Sequence, residues 1–314
     1  MKKNLLLILL WLFLMLPLAA CEGLSPSSRN VITTPVPLVT VEQKKTVAPI
    51  TAQPTLVETT EVTTPILPDL GGREITVAVD NAYIPFNYIL LGSDKATGFD
   101  YDIVDEICLL LNCTPVFVER VWEGMIQGVV DGENDMAAGG ITITQERAEI
   151  ADFSRGYINI RQRIMVRLDE DRFSTVAEFL AQPGMLIGSW PETTNYTAAI
   201  GLVGQNQVRD YDSYADSIQA LVNKKIDAIL IDDTADSGYF GFRSDQVKLT
   251  GEPLTTNQLG FIFPKRSDLV KPIDLAITEL ETNGTLKTLT DKYFSEDFKI
   301  SYDDIEERAY ADAE

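Results

Sequence analysis

An α/β fold made of two similar halves is what the sequence predicts, on three observations. Short runs rich in Val and Ile alternate with segments whose apolar residues recur at helical spacing. That alternation occurs twice, once from Arg73 to Arg147 and again from Arg161 onward. In each half the apolar runs give way to polar or aromatic residues, so that Asp80, Trp122, Thr142, Thr193 and Asp232 sit just past strand ends or at helix starts. In open α/β sheets ligands bind outside the carboxyl ends of the strands.

Taken in order, residues 1–20 read as an export leader, with Lys2 and Lys3, an apolar run and then small residues. The run is shorter than the roughly 20 apolar residues that span a bilayer. Residues 22–70 are rich in Pro, Thr, Ser and Val without periodicity, which predicts an extended spacer reaching roughly 40 Å. Ile75-Thr76-Val77-Ala78-Val79 is a strand ending at Asp80, followed by the turn-rich Asn81-Ala82-Tyr83-Ile84-Pro85-Phe86. A helix starts at Gly98-Phe99-Asp100 and carries Ile103, Val104, Ile107, Leu110 and Leu111 at helical spacing. Pro115-Val116-Phe117-Val118 is a second strand, and a helix is expected from Trp122 to Val130. Asp135 to Ala138 leads into Gly139-Gly140-Ile141-Thr142-Ile143-Thr144, whose Thr-Ile-Thr alternation reads as a strand end. Thr144 is a good N-cap for a helix with Arg147 in its first turn.

The second half opens at Arg161-Gln162-Arg163-Ile164-Met165-Val166. Met185-Leu186-Ile187-Gly188 is a strand, and a helix follows from Thr193. Val208-Arg209-Asp210-Tyr211 is a short strand, and residues 215–223 form a helix with Ile218, Leu221 and Val222 on one face. Ile226 to Ile231 is a buried strand that stops at Asp232-Asp233, where Asp233 is expected to be a turn residue. Gly260-Phe261-Ile262-Phe263 reads as a return strand, and residues 269–293 hold two helices around Asn283-Gly284. The tail after Phe294 is acidic and expected to fray, with at most a short helix.

The chain has 314 residues, enough for one large or two modest domains. Its formal charge of −21, from 26 basic and 47 acidic side chains, argues against nucleic acid and anionic membrane surfaces as partners. Histidine is absent, which excludes Ser-His-Asp and Cys-His catalysis and histidine metal sites. No cofactor and no metal are expected. Leu18-Ala19-Ala20-Cys21 resembles the cleavage box of bacterial lipoproteins, in which the cysteine is lipidated and becomes the mature N-terminus. With Cys21 so used, Cys108 on the first helix and Cys113 just past its end remain as a pair. A disulfide and two buried thiols are both open for them.

The residues around Arg147 carry the chemistry. A helix N-terminus attracts anions, and a guanidinium there can grip a carboxylate with two parallel hydrogen bonds, Thr142 and the Gly140 backbone completing the cradle. Beside these, the chain holds Asp80-Asn81-Ala82-Tyr83-Ile84-Pro85-Phe86, Gly98-Phe99-Asp100-Tyr101-Asp102, Trp122-Glu123-Gly124-Met125-Ile126, Asp152-Phe153-Ser154, Tyr211-Asp212-Ser213-Tyr214, Ile226-Asp227-Ala228 with Asp232, and Asn283-Gly284-Thr285. In order and spacing these resemble the type II solute-binding proteins of bacterial ABC importers, in the polar amino acid branch, over about Arg73 to Phe298. The resemblance implies a two-lobed periplasmic-binding-protein-like type II fold with the ligand cleft between the lobes. It places lobe one at 72–160 plus 259–298 and lobe two at 161–258, with an acidic tail at 299–314. The chain should cross between lobes near 159–163 and 254–260.

The same resemblance assigns roles. Arg147, Thr142 and Gly140 would hold a ligand carboxylate, helped by the backbone N–H of Thr193. Asp232 would take the α-ammonium, Tyr83 and Trp122 would sandwich the side chain, and Asp80 would lie near its far end. One segment departs from the family, since Ser189-Trp190-Pro191-Glu192-Thr193-Thr194 stands where a Gly-rich run is usual. Glu192 replaces the small residue, and Trp190 is expected either to narrow the pocket, to offer a face to a cationic side chain, or simply to pack. The implied protein is an extracytoplasmic monomer, anchored by lipid on Cys21, that passes a polar L-amino acid to an ABC permease. The rival readings are an enzyme of the dehydratase type on the same fold and a sensor for a membrane partner.

Overall fold

The computed structural model describes residues 66–234 and 245–306. The expected leader, Cys21, most of the spacer and the end of the tail lie outside the described residues.

Lobe one begins with β1 (Arg73–Val79), the hairpin strands β2 (Ala82–Tyr83), β3 (Asn87–Ile89) and β4 (Ala96–Thr97), and helix α1 (Phe99–Leu111). It continues through β5 (Cys113–Glu119), α2 (Met125–Val130), β6 (Met136–Ala137), α3 (Gln145–Ile150) and β7 (Asp152–Phe153). Next come β8 (Ile158–Arg167), α4 (Val176–Ala181), β9 (Ile187–Ser189), α5 (Thr194–Val203), β10 (Val208–Asp210), α6 (Tyr214–Val222), β11 (Ala228–Thr234) and β12 (Val247–Leu259). The chain then re-enters lobe one with β13 (Ile262–Phe263), α7 (Val270–Thr282) and α8 (Thr285–Phe294).

Two five-stranded sheets repeat one plan, in orders β5-β1-β6-β13-β7 and β10-β9-β11-β8-β12. Each has three parallel strands at one side and antiparallel strands at the other. The inner parallel strands β1, β9 and β11 read as short apolar runs because they are largely buried, while the edge strands β5 and β10 are partly exposed. Strands β8 and β12 pair side by side and lead out of and back into the first sheet, so they are the passages between lobes.

Local chemistry explains the main helices. Helix α1 buries Phe99, Ile103, Val104, Ile107 and Leu111 and ends on Asn112 in the left-handed conformation. Only glycine fits before it, because a Cβ on Gly98 would lie 2.2 Å from the Phe86 carbonyl oxygen. Cys108 and Cys113 are joined by a disulfide, tying the end of α1 to the start of β5. Helices α3, α5 and α6 are capped by Thr144, Thr193 and Ser213, whose hydroxyls accept from the backbone N–H groups of Arg147, Tyr196 and Asp216.

Several expectations are corrected. Thr142 to Thr144 do not end a strand; β6 stops at Ala137, and Thr142 makes only an isolated bridge to Leu259. Gly139 and Gly140 intervene and turn the chain toward the cleft. Helix α2 starts at Met125 rather than at Trp122, because Gly124 before it has φ 80°. Asp233 is no turn residue: β11 runs through it, and its buried carboxylate accepts from Arg161 and Arg163 on β8 at 2.7 and 3.3 Å. Strand β12 was legible only as a passage near its end, since Gly251, Pro253 and many polar residues hide it, and its long pairing with β8 makes it. The tail is held through residue 306, because its backbone bonds to residues 89–91 and Tyr302 and Ile305 are buried in the core of the first lobe.

Candidate functional site

A cleft between the two sheets is lined by Asp80, Tyr83, Trp122, Gly139, Gly140, Thr142, Arg147, Trp190, Thr193, Thr194, Tyr214 and Asp232. All the ligand-site residues read from the sequence are thus brought to one place. Lobe one supplies Asp80 after β1, Tyr83 in β2, Trp122 before α2, the Gly139–Thr142 loop after β6, and Arg147 in α3. Lobe two supplies Trp190 after β9, Thr193 and Thr194 at the start of α5, Tyr214 at the start of α6, and Asp232 in β11.

Close approach requires the glycine at 140. Its φ is +57°, and a Cβ there would stand 2.7 Å from the Tyr83 ring. Beneath this loop Asp100 is fully buried and takes hydrogen bonds from Asn87, Tyr157 and the Gly140 backbone.

The charged groups are Arg147 on one lobe and Asp232 on the other. Arg147 donates through Nη1 to the Thr142 carbonyl at 3.0 Å and through Nη2 to the Glu192 carbonyl at 3.1 Å. Its guanidinium lies 5.6 Å from the Trp122 ring centre. Burial lowers its pKa from the ordinary value, while the charge of Asp232 works against that. Arginine has five N–H donors, so these two bonds leave others for a ligand. Asp232 accepts from the Tyr83 hydroxyl at 2.6 Å and from Asn195 Nδ2 at 3.2 Å. Burial raises its pKa, and the bonds from Tyr83 and Asn195 and the charge of Arg147 oppose the rise.

Asp80 lies 1% exposed and has its pKa raised to about 8, by burial first and by the nearby charge of Asp100 second. Burial likewise raises Asp100 to about 6. Glu123 adds a further negative charge toward Asp80.

Four rings enclose the space. Tyr83 stacks on Tyr214 at 5.1 Å, Trp190 meets Tyr214 edge-on at 5.6 Å, and Trp122 lies tilted against Trp190 at 6.1 Å. Tyr214 and Thr194 were not singled out from the sequence. Tyr214 stood in a quoted motif after the N-cap Ser213, but a ring at a helix start has no signal of its own until the fold aims it.

The departing segment faces lobe one. The Trp122 indole donates to the Pro191 carbonyl at 3.2 Å, the Trp190 indole to the Glu123 carboxylate at 2.6 Å, and the Gly124 N–H to the Glu192 carboxylate at 3.1 Å. Glu192 has φ 61°, a conformation that favours glycine. Trp190 therefore packs and bridges the lobes at once.

The family model for bacterial extracellular solute-binding proteins, family 3, matches residues 75–296. The chain is 28% identical to the L-cystine-binding protein of Escherichia coli (strain K12), over 71% of this chain and 83% of that one. It is 26% identical to the L-arginine-binding protein of Pseudomonas aeruginosa, over 72% of this chain and 89% of that one. Among solved structures, a mutant of ArgBP from T. maritima superposes with a TM-score of 0.64 at 26% identity, covering 71% of this chain and 96% of that chain.

Proposed function

The chain belongs to the bacterial extracellular solute-binding proteins, family 3, and from that premise we propose that it captures an L-amino acid with a cationic side chain between its lobes. The observation that carries this reading is the pairing across one cleft of Arg147 from lobe one with Asp232 from lobe two. An α-amino acid is a zwitterion, and taking it out of water requires one fixed cation and one fixed anion. Arg147 meets the carboxylate, with Thr142, the Gly140 backbone and the start of α5 around it. Asp232 meets the ammonium. The relatives named for L-arginine and L-cystine support an amino acid as ligand.

Asp80, Asp100 and Glu123 gather at one side of the cleft, where Asp80 is held protonated by burial and by its acidic neighbours until a cation arrives. A guanidinium or ammonium reaching that side would be paired there, and the four rings would hold its aliphatic stem. Binding by both lobes favours the closed form through differential affinity. We read the role as capture without covalent chemistry and delivery to an ABC permease, by a monomer held outside the membrane by lipid on Cys21.

A thermal-shift panel of the full chain with the L-amino acids and L-cystine tests the reading. At a hundred times its Kd a ligand stabilises by about 2.7 kcal/mol, a shift of several degrees. L-arginine or L-lysine should raise the midpoint most, and a flat panel would overturn the proposal. Disappearance of the ligand during incubation would point instead to an enzyme using Asp80 as general acid.

A further inference from the structure

Behind Asp232 runs a line of side chains that a ligand would not touch. In the second sheet Gln162 on β8 stands opposite Asp232 on β11 and opposite Thr255 on β12. Residues directly opposite in antiparallel strands point to the same face. Asn195, from the first turn of α5, covers that face and is fully buried, and Gln162 is 2% exposed. The bonds are continuous. Asn257 Nδ2 donates to Thr255 Oγ1 at 2.9 Å, Thr255 Oγ1 to Gln162 Oε1 at 2.9 Å, Gln162 Nε2 to Asn195 Oδ1 at 2.8 Å, and Asn195 Nδ2 to Asp232 Oδ1 at 3.2 Å.

The direction of every link is forced. An ionised carboxylate only accepts, so Asn195 must present its amide nitrogen to Asp232 and its oxygen to Gln162. Gln162 must then present nitrogen to Asn195 and oxygen to Thr255, whose hydroxyl donates. Asn195 Nδ2 also reaches the Tyr214 hydroxyl at 2.8 Å, which fixes the amide further. A chain of donors all aimed at one anion strengthens its last bond. The far end rests on β8 and β12, the two passages between the lobes.

We propose that Asn195 and Gln162 are positioning residues for the ligand's ammonium group: they hold Asp232 in place and ionised, and they link it to both strands that pass between the lobes. The proposal rests on the reading of Asp232 as the ammonium receptor. The charged and titratable groups facing Asp232 are Arg147 from α3, Tyr83 from β2, Tyr214 from α6 and Tyr302 from the C-terminal segment. Only Tyr214 touches the line from Asn195 to Thr255, through its bond from Asn195, so Gln162→Leu and Thr255→Val leave all four groups with their partners while Asn195→Leu also frees the Tyr214 hydroxyl.

The test is the titration midpoint of the Asp232 carboxyl, read by NMR in full chain labelled with carboxyl-¹³C aspartate and assigned by loss of its signal in Asp232→Asn. Removing the Asn195 donor weakens the ionised form, so Asn195→Leu should raise the midpoint by about one to two pH units. Gln162→Leu should raise it less, and Thr255→Val, at the edge of the lobe and tolerant of change, least. L-arginine affinity should fall in the same order, more steeply as the pH falls, whereas loss of packing alone would weaken binding equally at every pH. A midpoint unmoved in all the variants that fold overturns the proposal. If the midpoints move but the protein binds no L-arginine, the ligand reading fails and the positioning role stands. If L-arginine binds and the midpoints stay, the positioning role fails alone.

Discussion

Asp80 makes the residue scale quantitative. Its carboxyl, raised to about 8 by burial and then by Asp100, is protonated at neutral pH before a ligand arrives. The folded form therefore binds a proton more tightly than the unfolded chain does. Its contribution to stability is fully present below the ordinary carboxylate pKa and is lost as the pH rises through about 8. Ligand binding has the opposite sign. A guanidinium pairs with the ionised acid, so a proton must leave, and L-arginine affinity should rise between pH 6 and 8 by up to about tenfold per unit. Calorimetry at pH 7 in buffers of different ionisation enthalpy would count that proton, and Asp80→Asn should abolish its release. Affinity independent of pH with no proton released would refute the role given to Asp80. Arg147, Asp232 and Trp122 were legible as candidates because they sit in motifs of recognisable order and spacing, although Asp232 proves to lie inside β11 and not past its end. Asn195 and Gln162 were not, since a buried amide in a helix or strand looks like any surface amide until the register places it.

At the scale of elements, the segment Trp190-Pro191-Glu192 meets Trp122-Glu123-Gly124 through three hydrogen bonds that cross the cleft. The sequence marked the first stretch as a departure but could not say what it faced, because the partner lies in the other lobe. Glu192 pays for its contact with a left-handed backbone, which costs a non-glycine residue roughly 1–2 kcal/mol. Glu192→Gly separates the two effects. The backbone strain is relieved, so the unliganded protein should melt no lower than the parent. Loss of the carboxylate bond to Gly124 should speed L-arginine release by roughly fivefold, read by stopped-flow fluorescence of the nearby tryptophans. An unchanged release rate would mean the bond does not hold the lobes together. The same limit explains the misread strands. Asp233 looked like a turn because charge usually ends a strand, and only Arg161 and Arg163 on the neighbouring β8 make it a buried strand residue.

For the whole molecule, the doubled strand and helix pattern was enough to foresee two similar α/β halves, since the buried inner strands announce themselves as apolar runs. What the pattern lacked was the full length of β12, whose many exposed polar residues are held in the sheet by pairing with β8. The two sheets bring one cation and one anion to opposite sides of a single cleft, and the account stands on that arrangement. Equilibrium dialysis of radiolabelled L-arginine against the full chain tests it most directly. One molecule should be retained per chain and displaced by unlabelled L-lysine, with affinity reduced about a hundredfold or more in Arg147→Ala and in Asp232→Ala. No retention by the parent protein, or retention that both substitutions leave unchanged, would contradict it.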